Sequence, residues 1–191
     1  MGVKFRTDVS GFITGVRFYK LLSDAGPHVG NLWASSGTLL ATAPFSDESA
    51  SGWQQAVFAS PVAITADTTY VASYHTNGYY GADVNYFAGN GVDNAPLHVP
   101  ADGVDGGNGV YLYSASTAFP STTYNASNYW VDVVFNSPLA TARTLKNTPR
   151  LTSTPTTTST PTTTPTSTSA AQVATPKPRT VATQTPTVGR V

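Results

Sequence analysis

From Gly2 to Asn136 the apolar side chains come in short runs, many alternating with polar ones, and no stretch keeps a helical period for three turns. The pattern predicts strands near Val3–Thr7, Phe12–Tyr19, Val29–Ala34, Leu39–Phe45, Trp53–Phe58, Thr69–Tyr74, Val110–Tyr113 and Tyr129–Phe135. In the second strand Phe12, Thr14, Val16 and Phe18 alternate with Ile13, Gly15, Arg17 and Tyr19, as a strand with one buried face requires. In the last, Tyr129, Val131, Val133 and Phe135 alternate with Trp130, Asp132 and Val134. Ser36-Gly37, Asn77-Gly78, Asn90-Gly91, Asp102-Gly103 and Asn108-Gly109 supply turn residues that tolerate positive φ. The expectation is an all-β, two-sheet antiparallel sandwich of the jelly-roll or immunoglobulin-like kind. Between Tyr79 and Gly109 the strand pattern loosens into a long Gly-, Asn- and Asp-rich segment, of the sort that is functional, irregular but packed, or mobile.

The pattern stops near Pro138, and composition changes with it. All eight Phe, ten Tyr and three Trp precede that residue, so only residues 1–138 can build a core. Residues 139–191 are rich in Thr, Ser, Pro and Ala and lack the apolar content to offset their ordering entropy. Proline fixes φ and threonine is β-branched, so an extended, polyproline-II-like tail is expected. Thr152, Thr154, Thr156, Thr157, Thr158, Thr160, Thr162, Thr163, Thr164, Thr166 and Thr168 form a run typical of O-glycosylated stalks, though an unmodified linker has the same composition. Asn125-Ala126-Ser127 adds an N-glycosylation-type triplet at Asn125.

Net charge is zero, but it is divided. Residues 1–138 hold four basic and all ten acidic side chains, whereas the tail holds six basic and none acidic. Opposite charge invites contact between tail and domain, within one chain or between copies, with Arg143, Lys146, Arg150, Lys177 and Arg179 as the tail contacts. An acidic folded part argues against nucleic acid. No apolar run approaches the roughly 20 residues that span a bilayer, and no basic-then-apolar leader opens the chain. The chain is expected to be soluble as it stands, with any export signal removed or lying upstream. Without cysteine there is no disulfide, thiolate nucleophile or Cys-ligated zinc.

Catalytic patterns are missing as well. His28, His75 and His98 stand alone, Glu48 is the single glutamate, and there is no nucleophile elbow or phosphate loop. Asp67, Asp83, Asp93, Asp102 and Asp105 sit in turn-like contexts where Asp caps the local backbone. No enzyme, metal centre or cofactor is expected. The oxygen-rich run Asp102–Gly109 is a candidate calcium turn, but it lacks the ligand order and closing glutamate of an EF-hand. Tyr79, Tyr80, Tyr86 and Phe87, around Asp83 and Asn85, could stack on a sugar or cover a sheet edge or interface.

Seven stretches taken together carry a resemblance: Gly2-Val-Lys-Phe-Arg-Thr-Asp8, Gly15-Val-Arg-Phe-Tyr-Lys20, His28-Val-Gly-Asn-Leu-Trp33, Gly37-Thr-Leu-Leu-Ala41, Ser51-Gly-Trp-Gln-Gln55, Thr69-Tyr-Val-Ala-Ser-Tyr-His75 and Tyr129-Trp-Val-Asp-Val-Val-Phe135. They resemble the bacterial family called domain of unknown function 4082, over about residues 2–136 and not the tail. The resemblance implies a β-sandwich in secreted or surface-attached multidomain bacterial proteins, sometimes beside carbohydrate-active enzymes, and brings no catalytic residues.

Two functions follow as expectations. In the first, the chain is a structural subunit of a secreted or cell-surface bacterial filament, a helical homo-oligomer whose glycosylated tails contact neighbouring copies. As polyproline II, residues 147–191 would extend about 140 Å, against a domain about 30–40 Å across. In the second, it is a carbohydrate-binding or adhesion module on a mucin-like linker.

Overall fold

The computed structural model describes residues 1–137 and the two-residue strand at 189–190; it is all-β, with antiparallel ladders throughout. The larger sheet contains β1 (Gly2–Thr7), β3 (Val29–Ala34), β4 (Leu39–Pro44), β6 (Tyr70–His75), β10 (Val110–Tyr111) and β11 (Thr122–Thr123), in the order β11-β10-β1-β6-β3-β4. A small hairpin of β8 (Val92–Asn94) and β9 (Leu97–Val99) joins its edge by pairing with β1 at Arg6 and Thr7. The second sheet has three strands in the order β12-β2-β5: β12 (Val131–Asn136), β2 (Gly11–Lys20) and β5 (Gly52–Ile64). Separately, β13 (Gly189–Arg190) pairs with β7 (Tyr79–Tyr80).

The core lies between the two main sheets. Phe5, Leu32, Ala72 and Tyr74 come from the larger sheet, and Ile13, Val16, Phe18, Ala56 and Phe58 from the smaller. Phe18 is its centre, with ring centroids 4.3 Å from stacked Tyr74 and 4.8 Å from Phe45 edge-on. The chain reaches this arrangement because each strand turns alternate apolar side chains to one face, and only two such faces pressed together remove them from water.

The expected alternation in β2 changes parity partway. The ladder to β5 slips between Ile13 and Gly15, and this irregularity leaves Ile13, Val16 and Phe18 inward but sends Phe12 outward with Arg17 and Tyr19. Pro61 is tolerated in β5 because it falls in the stretch between Val57 and Val62 where that ladder is interrupted. Part of the 79–109 segment is packed despite its composition: the Asn85 and Phe87 amides donate to the carbonyls of Asn125 and Ala126, and Asp83 bridges Asn128, whereas residues 88–95 are exposed. At Gly109, φ is +26° and a Cβ would collide with the Ser127 carbonyl, so no other residue fits that turn.

Candidate functional site

The sequence-predicted aromatic group does not form one platform. Tyr79 and Tyr80 are consecutive in β7 and therefore face opposite ways, Tyr79 outward and Tyr80 into the core. The Tyr80 hydroxyl lies 2.6 Å from that of Tyr113, and the ring packs on Tyr129 at 5.8 Å. Phe87 is 2 % exposed, with its backbone fixed to Ala126. Burial removes Tyr80 and Phe87 from any ligand, leaving Tyr79 and Tyr86 exposed.

Tyr86 instead ends a different row, on the outer face of the three-stranded sheet. Where Gln54, Ala56 and Phe58 of β5 point inward, Trp53, Gln55 and Val57 point outward, just as Arg17 and Tyr19 of β2 oppose Phe18. Register then assembles the face. Trp53 pairs with Tyr19, their rings edge to face at 5.8 Å. The Tyr19 amide donates to the Trp130 carbonyl at 3.0 Å, and the Trp130 indole lies 5.6 Å from the Tyr86 ring. Trp53, Tyr19 and Tyr86 are 41, 39 and 42 % exposed, so part of each ring faces solvent.

Trp130 holds a φ of +55°, and its amide is anchored to Asn128 Oδ1 at 2.8 Å. For a bulky side chain this left-handed conformation is uncommon and costs on the order of 1–3 kcal/mol.

A polar row lies beside the aromatic one. Arg17 pairs across the sheet with Gln55 on one side and Asp132 on the other. Its guanidinium sits 4.9 Å from the Trp53 ring centre and 3.6 Å from Asp132 Oδ2, with both side chains well exposed. Asp132 Oδ1 accepts the Val133 amide at 2.8 Å. Rings that offer flat apolar faces thus adjoin one cation, one anion and one amide.

The other candidates are enclosed or internally satisfied. His28 is fully buried between two carboxylates: Nδ1 is 2.8 Å from Glu48 Oε2, and Nε2 is 2.9 Å from Asp24 Oδ2 without the alignment of a hydrogen bond. Lys20 Nζ reaches Glu48 at 2.8 Å, and Thr76 donates to Asp24 at 2.8 Å. Burial opposes charge on His28, but the two carboxylates outweigh it and raise its pKa above the ordinary value. A group sealed from solvent cannot meet a substrate, so His28 has a structural role in the core. His75 Nε2 is 3.2 Å from the Ser114 carbonyl. His98, which no sequence pattern marked, lies 2.7 Å from Asp93 and 2.8 Å from Asp8, and hydrogen bonding to them raises its pKa.

In the Asp102–Gly109 turn, Asp102 accepts the Asn108 amide, Asp105 accepts Thr69, and the Lys4 ammonium donates to the Asp105 carbonyl at 2.7 Å. Its oxygens face protein donors, Lys4 among them. No group of three His, Asp or Glu side chains among the described residues is placed to hold a metal. Asn125 is exposed at φ +46°, whereas Ser127 of its triplet is buried and donates to the Tyr124 carbonyl. The threonines from Thr152 to Thr168, and Arg143, Lys146, Arg150, Lys177 and Arg179, lie outside the described residues. No helix among the described residues is long and apolar enough to cross a membrane.

Fold and face together define a β-sandwich domain with a partly exposed aromatic sheet surface. The chain belongs to the family described as Domain of unknown function (DUF4082), whose model matches residues 1–131. No curated protein and no solved structure matches it.

Proposed function

We propose that the chain is a non-catalytic saccharide-recognition module, displayed outside the cell on a Thr/Ser/Pro stalk that carries O-linked glycans. The observation that carries this reading is the row Trp53–Tyr19–Trp130–Tyr86 with Arg17, Asp132 and Gln55 beside it. A pyranose has flat C–H faces and a rim of hydroxyls. Aromatic rings take up the former, and planar polar side chains hydrogen-bond to the latter without any bond being made or broken. With adjacent strands about 4.8 Å apart, the row from Trp53 to Trp130 spans about 10 Å, and Tyr86 lengthens it. That shape suits an extended glycan better than a compact ligand.

Affinity electrophoresis of the full chain through gels containing soluble polysaccharides tests the reading. Retardation by at least one polymer, weakened about tenfold or more by Trp53→Ala, is expected. A chain that no polymer retards would overturn it.

A filament subunit is the second reading, and the pairing of Gly189–Arg190 with Tyr79–Tyr80 favours it. A strand so far along the chain could equally reach the same edge of a neighbouring copy and propagate head to tail. Electron microscopy of the full chain beside Gly189→Pro, which removes a backbone donor from that ladder, distinguishes the two. Filaments lost in the variant support assembly; dispersed particles from the unaltered chain reject it.

A further inference from the structure

We infer that the glycan held by the outer face is a neutral one, and that the Arg17–Asp132 pair sets this selectivity. The inference rests on the saccharide reading and goes further, to the chemical class of sugar. The polar row contains one cation and one anion 3.6 Å apart, and its third member, Gln55, is neutral. An incoming uronate or sulfate therefore meets an arginine already matched by its own carboxylate, with Asp132 close enough to repel it. The folded part as a whole repels it too, having four basic against ten acidic side chains.

Hydroxyl groups fit the same row well. Each donates one hydrogen bond and accepts others, so a hydroxylated rim needs donors and acceptors side by side. Arg17 has five N–H donors and makes a single loose contact with Asp132, which leaves donors free. Asp132 Oδ1 is engaged by the Val133 amide, so Oδ2 is the acceptor presented at the surface. Gln55 offers both functions from one amide. Trp53 steadies the arrangement, because the guanidinium lies against its ring and cannot swing freely toward an anion. Asp132 thus acts as a specificity-determining residue by neutralising Arg17.

The pair is also dispensable to the fold. Both side chains are well exposed at the surface, and an asparagine at 132 keeps an oxygen for the Val133 amide. Asp132→Asn is therefore expected to fold normally while giving the face an unmatched cation.

The experiment compares the full-length chain with Asp132→Asn, Arg17→Gln and Trp53→Ala in native gels containing either a neutral polymer, β-glucan or xylan, or an acidic one, polygalacturonate or alginate. Expected is retardation of the unaltered chain by a neutral polymer alone. Asp132→Asn should gain retardation by an acidic polymer that disappears in high salt. Arg17→Gln should weaken neutral binding, and Trp53→Ala should weaken retardation about tenfold or more. Equal retardation of the unaltered chain by both polymer classes would overturn the selectivity and leave saccharide recognition standing. Retardation by neither would overturn both. Sedimentation of the free chain supplies an independent check: association that increases with concentration and is lost in Trp53→Ala would make the face a contact between copies and overturn the inference.

Discussion

Replacing His28 with glutamine should destabilise the domain by a pH-dependent amount. In the folded chain the imidazole is 0 % exposed, Asp24 is 1 % exposed, and Glu48 is nearly buried. The Phe18 ring lies 4.6 Å away, Tyr74 6.4 Å away, and Lys20 approaches only Glu48. Glutamine keeps most of the packing but removes the charge facing Asp24. Breaking one partner out of a buried ion pair costs about 3–5 kcal/mol, against a total of about 7–20 kcal/mol for a domain of this size. At about 2 kcal/mol per molar of urea, the midpoint should fall by about 2 M near pH 6. His28 has a raised folded pKa, so the folded state binds the extra proton. Its contribution is full below the unfolded value of about 6.5 and is lost as pH rises through the folded pKa. The gap between variant and unaltered chain should therefore narrow toward pH 9. His98 is raised in the same direction and stays in both proteins, so it cancels from the difference. Urea titrations at both pH values, followed by tryptophan fluorescence, provide the measurement. A penalty below about 1 kcal/mol at pH 6, or one of equal size at both pH values, would refute the reasoning.

Other sites give sharper structural tests. Phe18→Ala should cost about 3–5 kcal/mol in urea titration, because it removes a fully buried ring packed on Tyr74 and Phe45. Gly109→Ala should cost about 1–3 kcal/mol or more by the same measurement, since the added Cβ meets the Ser127 carbonyl. Asp132→Asn should change thermal stability by less than about 1 kcal/mol, as expected for an exposed pair. In an absorbance titration Tyr74, Tyr80 and Tyr129 should ionise late: burial pushes all three up, Tyr129 to about 12, and ionisation of every phenol together near 10 would contradict their burial.

The strands were legible because alternation is a local property. Val29–Ala34 matches its expected bounds, and β1, β2, β4, β6 and β12 differ from theirs by one or two residues. Less legible was whatever depended on pairing partners: the slip at Ile13, the continuation of β5 through Pro61 to Ile64, and the short strands within the Gly- and Asn-rich segment. The aromatic site shows the same division. Tyr79, Tyr80, Tyr86 and Phe87 are neighbours in sequence, which suggested a cluster, yet strand parity and the Ala126 contact turn half of them inward. Trp53, Tyr19 and Trp130 are far apart in sequence and become neighbours only through register. Their signal was present as period-two spacing, with Tyr19 two residues from Arg17, Gln55 two from Trp53, and Asp132 two from Trp130. What was missing was the order β12-β2-β5, a set of long-range pairings that no local pattern specifies.

The placement of the aromatics also separates those needed for folding from those that are not. Phe5, Phe18, Phe45, Phe58 and Tyr74 are buried, and hydrophobic burial alone accounts for them. The outer face gains less, since an alternating strand with one solvated side can carry polar residues there and the Tyr19–Trp53 cross-strand pair adds only about 0.2–1 kcal/mol. Trp53 and Tyr19 nonetheless keep large rings in water, and Trp130 is held in an unfavourable backbone conformation beside Tyr86. Neither exposure nor strain stabilises the sandwich. On the proposed reading, exposed rings set beside a matched cation and anion serve recognition of a glycan.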